Sequence, residues 1–354
     1  DFGRDLPYLR QCLLRQQWRA RFKALAAVHF RSVVEAAEAT VAALEHPASS
    51  IELVDDTIIR RCRLSTGFRH LAEFVVGDPG AILFIEFYGD SEADAVAKLQ
   101  KLDKDLTARG LGYATVTTTD PTRQRDWWRM REAGLGLLMS VRGDTKPVAY
   151  VEDTAVAPEK LPEFVRRFQE VVGRHGTEAA YYGHASVGCL HIRPAVNVKT
   201  LEGIRTMESI ANEIADLVLE FGGSLSGEHG DGILRGVFTE KMFGPALTSA
   251  FREIKQAFDP RGLLNPGKII DTPGFSENLR LGPHTRNWEP VTYLDFSYEG
   301  GFARAAEQCN GQGACRKFEG WMCPSFMVTK EEEHSTRGRA NLLRHVAAGT
   351  LPHA

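Results

Sequence analysis

No stretch of this 354-residue chain is apolar over the roughly 18 consecutive residues that a bilayer crossing needs. Neither sign of charge is in excess. Lys and Arg number 43 against 46 Asp and Glu, for a formal net charge of −3. That balance speaks against a nucleic-acid-binding or anionic-membrane surface, so no nucleic-acid partner and no transmembrane segment are expected. Cysteine is sparse, with six residues in all, too few for a disulfide scaffold at this length. No signal peptide is recognisable, and the first residue is Asp1 rather than Met. The chain is therefore expected to be processed, or cut from something longer. A reducing compartment is expected, cytoplasmic or peripheral at the inner face of the membrane.

What is present is the composition of a folded protein. Hydrophobic residues make up 43% and charged residues 25%, which excludes wholesale disorder. The length asks for one large domain or two ordinary ones. Residues 1–21 are polar and Arg-rich and read as a linker or a detached helix. From about Phe22 a rhythm of strand and helix begins. Strands are predicted over 24–30, 50–54, 82–88 and 113–117, and helices over 32–44 and 91–109. Ser91 suits the start of its helix and Gly110 the end, and Ala95, Leu99, Leu102 and Leu106 form one apolar stripe. A third unit runs through a strand at 147–156, a helix after Pro158 and a strand at 179–184. Such units imply a sheet covered by helices, parallel or mixed. A long amphipathic helix follows, with Leu201, Ile204, Met207, Ile210, Ile214, Leu217 and Phe221 on one face and Gly222-Gly223 at its end. Another spans about 245–258. After Asp271 the periodicity fades and a domain boundary is placed there.

Two segments carry chemistry. In GHASVGCLH, His184 and His191 would point to opposite faces of a straight strand, but Gly188 permits a turn that lets both imidazoles converge. In SGEHGDG, Glu228 can add a carboxylate, and two His with one carboxylate make an open metal site. His229, next to Glu228, is then free to act as a general base. The alternative is that these are ordinary polar residues of a core or loop. Arg131 offers a fork for a carboxylate substrate, and Lys146 a second positive charge; both also suit a solvated surface. Three of the six cysteines, Cys309, Cys315 and Cys323, fall within fifteen residues. Such clustering reflects metal chemistry more than folding staples.

The ordered motifs YGHASVGCLHIRP, GGSLSGEHGDG and FDPRGLLNPGKII resemble the C-terminal substrate domain of FAD-linked D-2-hydroxyacid dehydrogenases. That family, of the vanillyl-alcohol-oxidase-like flavoproteins, includes D-lactate, glycolate and D-2-hydroxyglutarate dehydrogenases. The resemblance covers residues 22–271. It implies an α+β fold, ferredoxin-like, with a mixed or antiparallel sheet covered by helices. It implies His184, His191 and Glu228 as ligands of a divalent metal, zinc or similar, and His229 as catalytic base. Arg131 and Lys146 become substrate-carboxylate residues, and Asn265 lies in the motif that closes near the flavin, or is simply a helix stop and turn. FAD would be bound mainly by another domain of the same polypeptide, preceding residue 22.

The chain departs from the family pattern at Ser186-Val187-Gly188-Cys189, where many members carry polar Asp and Asn, and at Leu135 in place of a Thr. Arg193 can replace a lost substrate contact. These departures resemble a large bacterial variant fused to iron–sulfur modules, and Cys309, Cys315 and Cys323-Pro324 are similar to the first part of a 4Fe-4S region spanning 272–354, with one ligand still wanting. Buried free thiols and a zinc knuckle are the alternatives. The implied reaction is oxidation of a D-2-hydroxyacid, with hydride to FAD and electrons leaving through the cluster to an unidentified acceptor. A fragment of this kind is expected to be inactive alone. The rival classes are a metal-dependent hydrolase using the His/His/Glu site and a non-catalytic metal-binding module.

Overall fold

The computed structural model describes residues 22–320 and 322–351; residues 1–21, read above as a linker or helix, lie outside the described residues. The chain opens with β1 (Phe22–Phe30), α1 (Val33–Ala43), β2 (Ser50–Asp55), α2 (Asp56–Leu64), β3 (Ala81–Gly89), α3 (Glu92–Ala108) and β4 (Ala114–Thr118). The starts of α1 and α3 have the same local cause. Ser32 Oγ accepts from Glu35 N–H and Ser91 Oγ from Asp94 N–H, both at 3.1 Å. Each acid reaches back to the N–H of the residue before the serine. Two orphan donors at each helix end are thereby satisfied.

These four strands lie in the order β4-β1-β3-β2, with every pairing antiparallel. Two strand–helix–strand units interleaved in this way give a ferredoxin-like sheet. The second part adds α4 (Pro121–Met139), β5 (Lys146–Pro147), β6 (Thr154–Ala155), α5 (Leu161–Arg174), β7 (Ala179–His184), β8 (Cys189–Val196), α6 (Leu201–Glu220) and α7 (Thr239–Phe258). The β7–β8 hairpin continues the sheet beyond β2, and β5 and β6 both pair with β8, again antiparallel. The question of a parallel or mixed sheet is thus answered by an antiparallel one.

Helices cover both faces. On one, Ala26, Val28, Phe30, Leu53, Leu83 and Ile85 pack under α1, α3, α5 and α6. On the other, Leu25, Ala27, Val54, Ile82 and Phe84 pack under Ile58 and Ile59 of α2 and Trp127, Met130 and Leu138 of α4. A strand buried on both sides reads as a continuous apolar run, as in ILFIEF, and not as clean alternation. This blurred the sequence signal. Among the described residues no helix is long and apolar enough to cross a membrane.

Three expectations need correction. Helices α2 and α4 are absent from the sequence reading. The first is short, and the second carries Gly134 and Gly136, which lower helix propensity; at Gly134 a Cβ would stand 3.0 Å from Ile58 Cδ1, so the glycine lets α4 approach α2. The strand expected over 147–156 survives only as its two ends, β5 and β6, because the residues between them turn inward to support the site. On α6 the stripe from Met207 to Leu217 is buried, but Leu201 is 62% exposed and Ala211, Ala215 and Val218 complete the packing. Helix α7 breaks at Gly244, whose φ is 78°, so the helix expected over about 245–258 is its second part, and only the turn before it, from Thr239, was not expected.

Beyond α7 regular structure is scarce until α8 (Phe302–Glu307), α9 (Pro324–Thr329) and α10 (Thr336–Ala347). This arm is pinned to the domain by charge. Asp144 accepts from Arg304 at 2.7 and 3.0 Å and from Lys199 at 3.1 Å, and Lys199 also holds Glu307 at 2.7 Å.

Candidate active site

The register of the sheet assembles the site. Strand β2 pairs with β7 so that Glu52 stands directly opposite His184, and β7 pairs with β8 so that Tyr182 stands opposite His191. All of these point to the α4 side of the sheet. The turn between β7 and β8 depends on Gly188. Its φ is 67°, and a Cβ there would fall 1.8 Å from the carbonyl oxygen of Val156. The hairpin thus brings His184 and His191 to one face, with ring centroids 5.4 Å apart and planes nearly perpendicular.

Asp153 places the second segment. It has a left-handed backbone, φ 72°, and its side chain is fully buried. Its carboxylate accepts from the N–H groups of Glu228 at 3.2 Å and His229 at 2.8 Å, and from Ser226 Oγ at 2.8 Å. Ser224 pairs with Ala155 of β6 through two backbone hydrogen bonds. Arg235 closes the loop, donating to the carbonyls of Glu152 and Gly230. Burial pushes the Asp153 carboxyl up, but the donors around it outweigh burial and hold it below the usual range.

The result is a convergence on one atom. Glu228 Oε1 lies 3.1 Å from His184 Nε2, 3.3 Å from His191 Nε2 and 3.4 Å from His229 Nε2. The rings of His191 and His229 stack, 4.8 Å apart and 3° from parallel. Glu52 Oε1 accepts from His184 Nδ1 at 2.6 Å, and this bond holds the His184 imidazole above its ordinary pKa. The bond also turns Nε2 toward Glu228, the arrangement by which a carboxylate orients a metal-binding histidine. His191 is the opposite case: burial, helped by the positive charge of its neighbours, pushes it down to about 3 and keeps it a neutral donor of a lone pair. Two imidazole nitrogens and a carboxylate oxygen facing one another are a donor set that fits a divalent ion of the zinc type. Asp153, His191, Glu228 and His229 also have ligand atoms within 4.8 Å of one another. The Asp153 oxygens are already committed to the loop, so the set with His184 is the better grouping.

The remaining expected residues are dispersed. Arg131, on α4, donates from Nε to Glu52 Oε2 at 3.0 Å and lies over the Tyr182 ring. It is thus tied to the support of His184. Arg193 pairs with Glu152, whose Oε1 is 3.7 Å from His229 Nδ1. Lys146 bonds the carbonyl of Val141 and faces a cavity shared with Arg193. Asn265 is exposed in a turn of positive φ with its Oδ1 on Lys268 Nζ, and it makes no contact with the His–Glu cluster among the described residues. Cys315 and Cys323 gather at the start of α10. Thr336 N–H donates to Cys323 Sγ at 3.1 Å and Arg337 N–H to Cys315 Sγ at 3.4 Å, and the Thr336 contacts hold the Cys323 thiol below its ordinary range. Cys309 lines the cavity with Arg344 and, like Cys315, lies near Arg337.

Three residues escaped the sequence reading: Glu52, Glu152 and Asp153. For Glu52 a signal exists, since an acid inside the apolar run SIELV must find a partner if the strand is buried. For the other two no local signal exists.

Comparison with known proteins gives the following. The family described as FAD linked oxidases, C-terminal domain, matches residues 19–269. A D-2-hydroxyglutarate dehydrogenase of Pseudomonas putida is 33% identical over 341 residues, which cover 92% of this chain and 33% of that protein. One of Escherichia coli is 30% identical over 325 residues, covering 85% of this chain and 30% of that protein. The chain therefore spans about a third of the length of these curated relatives. Among solved structures, 4-ethylphenol oxidase from Gulosibacter chungangensis superimposes with a TM-score of 0.52 at 14% identity, over 72% of this chain and 54% of that one, a likeness of fold alone.

Proposed function

The chain belongs to the FAD linked oxidases through their C-terminal domain, and from that membership we propose that it is the substrate domain of an FAD-dependent enzyme oxidising a D-2-hydroxyacid, of the lactate, glycolate or hydroxyglutarate class, to the 2-oxoacid. The observation that carries the reading is the convergence of His184, His191 and His229 on Glu228 Oε1. In this reading 22–271 is the substrate domain, 1–21 joins it to a flavin-binding domain, and 272–354 is the arm.

His184, His191 and Glu228 would hold the divalent ion, which when bound supplies Lewis acidity toward the substrate hydroxyl oxygen. FAD, when bound, would supply the acceptor for the hydride from C2. The rest is the work of this chain. Arg131, Lys146 and Arg193 are the cations available to substrate carboxylate. His229 Nε2 takes the hydroxyl proton as C2 becomes a carbonyl carbon, and Glu152 beside Nδ1 steadies the imidazolium that forms. Glu52 holds His184 in place. Cys309, Cys315 and Cys323 would supply three ligands to a 4Fe-4S cluster, a carrier of single electrons to an acceptor. The N–H donors at Cys315 and Cys323 suit thiolates.

Anaerobic stopped-flow reduction of the flavin in the full-length protein tests this. A D-2-hydroxyacid should bleach the flavin and its L-enantiomer should not. His229→Ala should slow bleaching roughly 10²- to 10⁴-fold while metal content stays at the wild-type level. Near-normal bleaching in that variant, or none by any D-2-hydroxyacid in the wild type, would overturn the reading.

A further inference from the structure

A groove of about 940 Å³ runs along the outer side of α4, between that helix and the arm. Arg129, Glu132, Ala133 and Gly136 of α4 line it, a spacing that marks one face of the helix. Arg131 is off that face and turned toward Glu52, so the groove lies behind the His–Glu cluster and not within it. Four cations surround the groove, Arg61 of α2, Arg129, Arg142 and Lys317, against one acid, Glu132. Among the described residues Arg61, Arg142 and Lys317 have no carboxylate partner, and Arg129 reaches Asp126 alone, at 3.5 Å. The chain as a whole carries a net charge of −3, so the groove is a local reversal of sign. A concave wall of one sign focuses its field and attracts the opposite charge.

The groove is more than a hydrated basic face. Leu64 and Tyr298 line it and are 80% and 70% exposed. The Arg142 guanidinium lies over the Tyr298 ring, 3.3 Å from its centroid, and so ties domain to arm. Exposed tyrosine among arginines is the make-up of a surface that meets another protein. Ala133, Gly136 and Ala314 keep the floor open, and a Cβ at Gly136 would come no nearer than 4.0 Å to Gln312 Oε1. The far end of the groove says which kind of protein. Gln312, Ala314 and Lys317 bracket Cys315 in the chain, one of the proposed cluster ligands. Whatever docks there stands beside the place from which single electrons would leave. Complexes between electron carriers are also small, below about 1,200 Å² of buried surface, which suits a groove of this size.

We propose that this groove is the docking site of a small acidic protein that carries single electrons, with Arg61, Arg129, Arg142 and Lys317 as its contacts. The inference rests on the iron–sulfur part of the reading above and goes beyond it in placing the acceptor. The hydride fixes the stoichiometry. Each hydroxyacid oxidised to the 2-oxoacid yields two electrons and two protons. Two carriers in turn each take one electron from the reduced cluster, the protons go to solvent, and no bond forms between the proteins. Docking on the outer side of α4 leaves the His–Glu cluster open, so substrate and carrier do not compete.

The test uses the full-length protein, with cytochrome b5 as an acidic one-electron probe, cytochrome c as a basic one and menadione as a small neutral acceptor. At low salt the acidic probe should be reduced faster than the basic one, and the difference should collapse as salt rises. Arg129 and Lys317 are exposed, so Arg129→Glu and Lys317→Glu leave folding intact. Together they should slow reduction of the acidic probe about tenfold or more at low salt and weaken its binding in calorimetry by a like factor. Menadione reduction and iron content should stay at the wild-type level, and Lys104→Glu, on the exposed side of α3, should change nothing. Salt-independent reduction of the acidic probe, or equal loss with all three acceptors, overturns the proposal. So does loss of flavin from the double variant, which would mean that the flavin domain covers the groove. Binding of pyrophosphate at Lys317 with no effect on either cytochrome overturns it as well, in favour of a small-anion site. If the protein holds no iron while the acidic probe still binds in a Lys317-dependent way, the cluster reading has failed and the docking surface stands.

Discussion

Replacing Glu52 by glutamine separates the support of the proposed metal site from the site itself. The Glu52 side chain is 10% exposed and that of its partner Arg131 15%. One oxygen takes His184 Nδ1 at 2.6 Å and the other takes the Arg131 guanidinium at 3.0 Å. Glutamine keeps the volume but offers one acceptor and no charge. Removing one member of a buried charge pair costs roughly 3–5 kcal/mol when the other is left stranded. Arg131 keeps some solvent and the Tyr182 face, so about 2 kcal/mol of stability is the expected loss. Loss of an orienting carboxylate typically weakens metal binding about 10- to 100-fold, or about 1.4–2.7 kcal/mol. The assay is competition of chelator-stripped full-length protein against a chromophoric chelator, with urea unfolding of the metal-free form alongside. The pH dependence has a defined sign. His184 is held above its ordinary pKa chiefly by Glu52. In the metal-free protein its contribution to stability is therefore fully present below about pH 6.5 and is lost as pH rises through the folded value. The variant should lack that decline. Metal affinity within twofold of wild type, together with an unchanged pH profile, would refute the orienting role of Glu52.

Two further perturbations follow from packing and charge. Gly188→Ala forces a side chain into a left-handed backbone and onto the Val156 carbonyl; a loss of about 3 kcal/mol or more in urea unfolding is expected, and a loss under 1 kcal/mol would show that the hairpin can adapt. Asp144→Ala should release the arm, raising amide exchange in α8 without unfolding the sheet. Asp144 is held at about 2, chiefly by Arg304, so in the wild type the pinning contributes above about pH 4 and is lost as pH falls through 2. Partial exposure keeps its value near 1 kcal/mol, and arm exchange independent of both the mutation and acid would show that the pinning rests on apolar contacts instead.

Much of the fold was legible where local chemistry repeats. Ser32 and Ser91 each announce a helix with an acid three residues on, and Ala95, Leu99, Leu102 and Leu106 are all buried as their spacing implies. The His and Glu residues that meet at the site were legible as two motifs. Their meeting was not, because it is set by the pairing of β2 with β7, and Glu52 is 132 residues from His184. No local pattern carries that information. Arg131 was read as a free fork for substrate, yet its charge is half spent on Glu52. The strand expected at 147–156 is broken where Asp153 takes a left-handed backbone; on an extended one Glu152 and Asp153 would leave opposite faces instead of both reaching His229.

Position 153 is also a bottleneck for sequence drift. Glycine suits its backbone and brings no acceptor. Glutamate brings acceptors on a stem too long for the space and has no ease in that conformation. Asparagine tolerates the backbone but turns one oxygen into a donor, facing N–H groups that are donors themselves. A relative could therefore exchange a histidine for another ligand and still close this loop, whereas one that changes 153 must rebuild the frame before any ligand set can be read from its sequence.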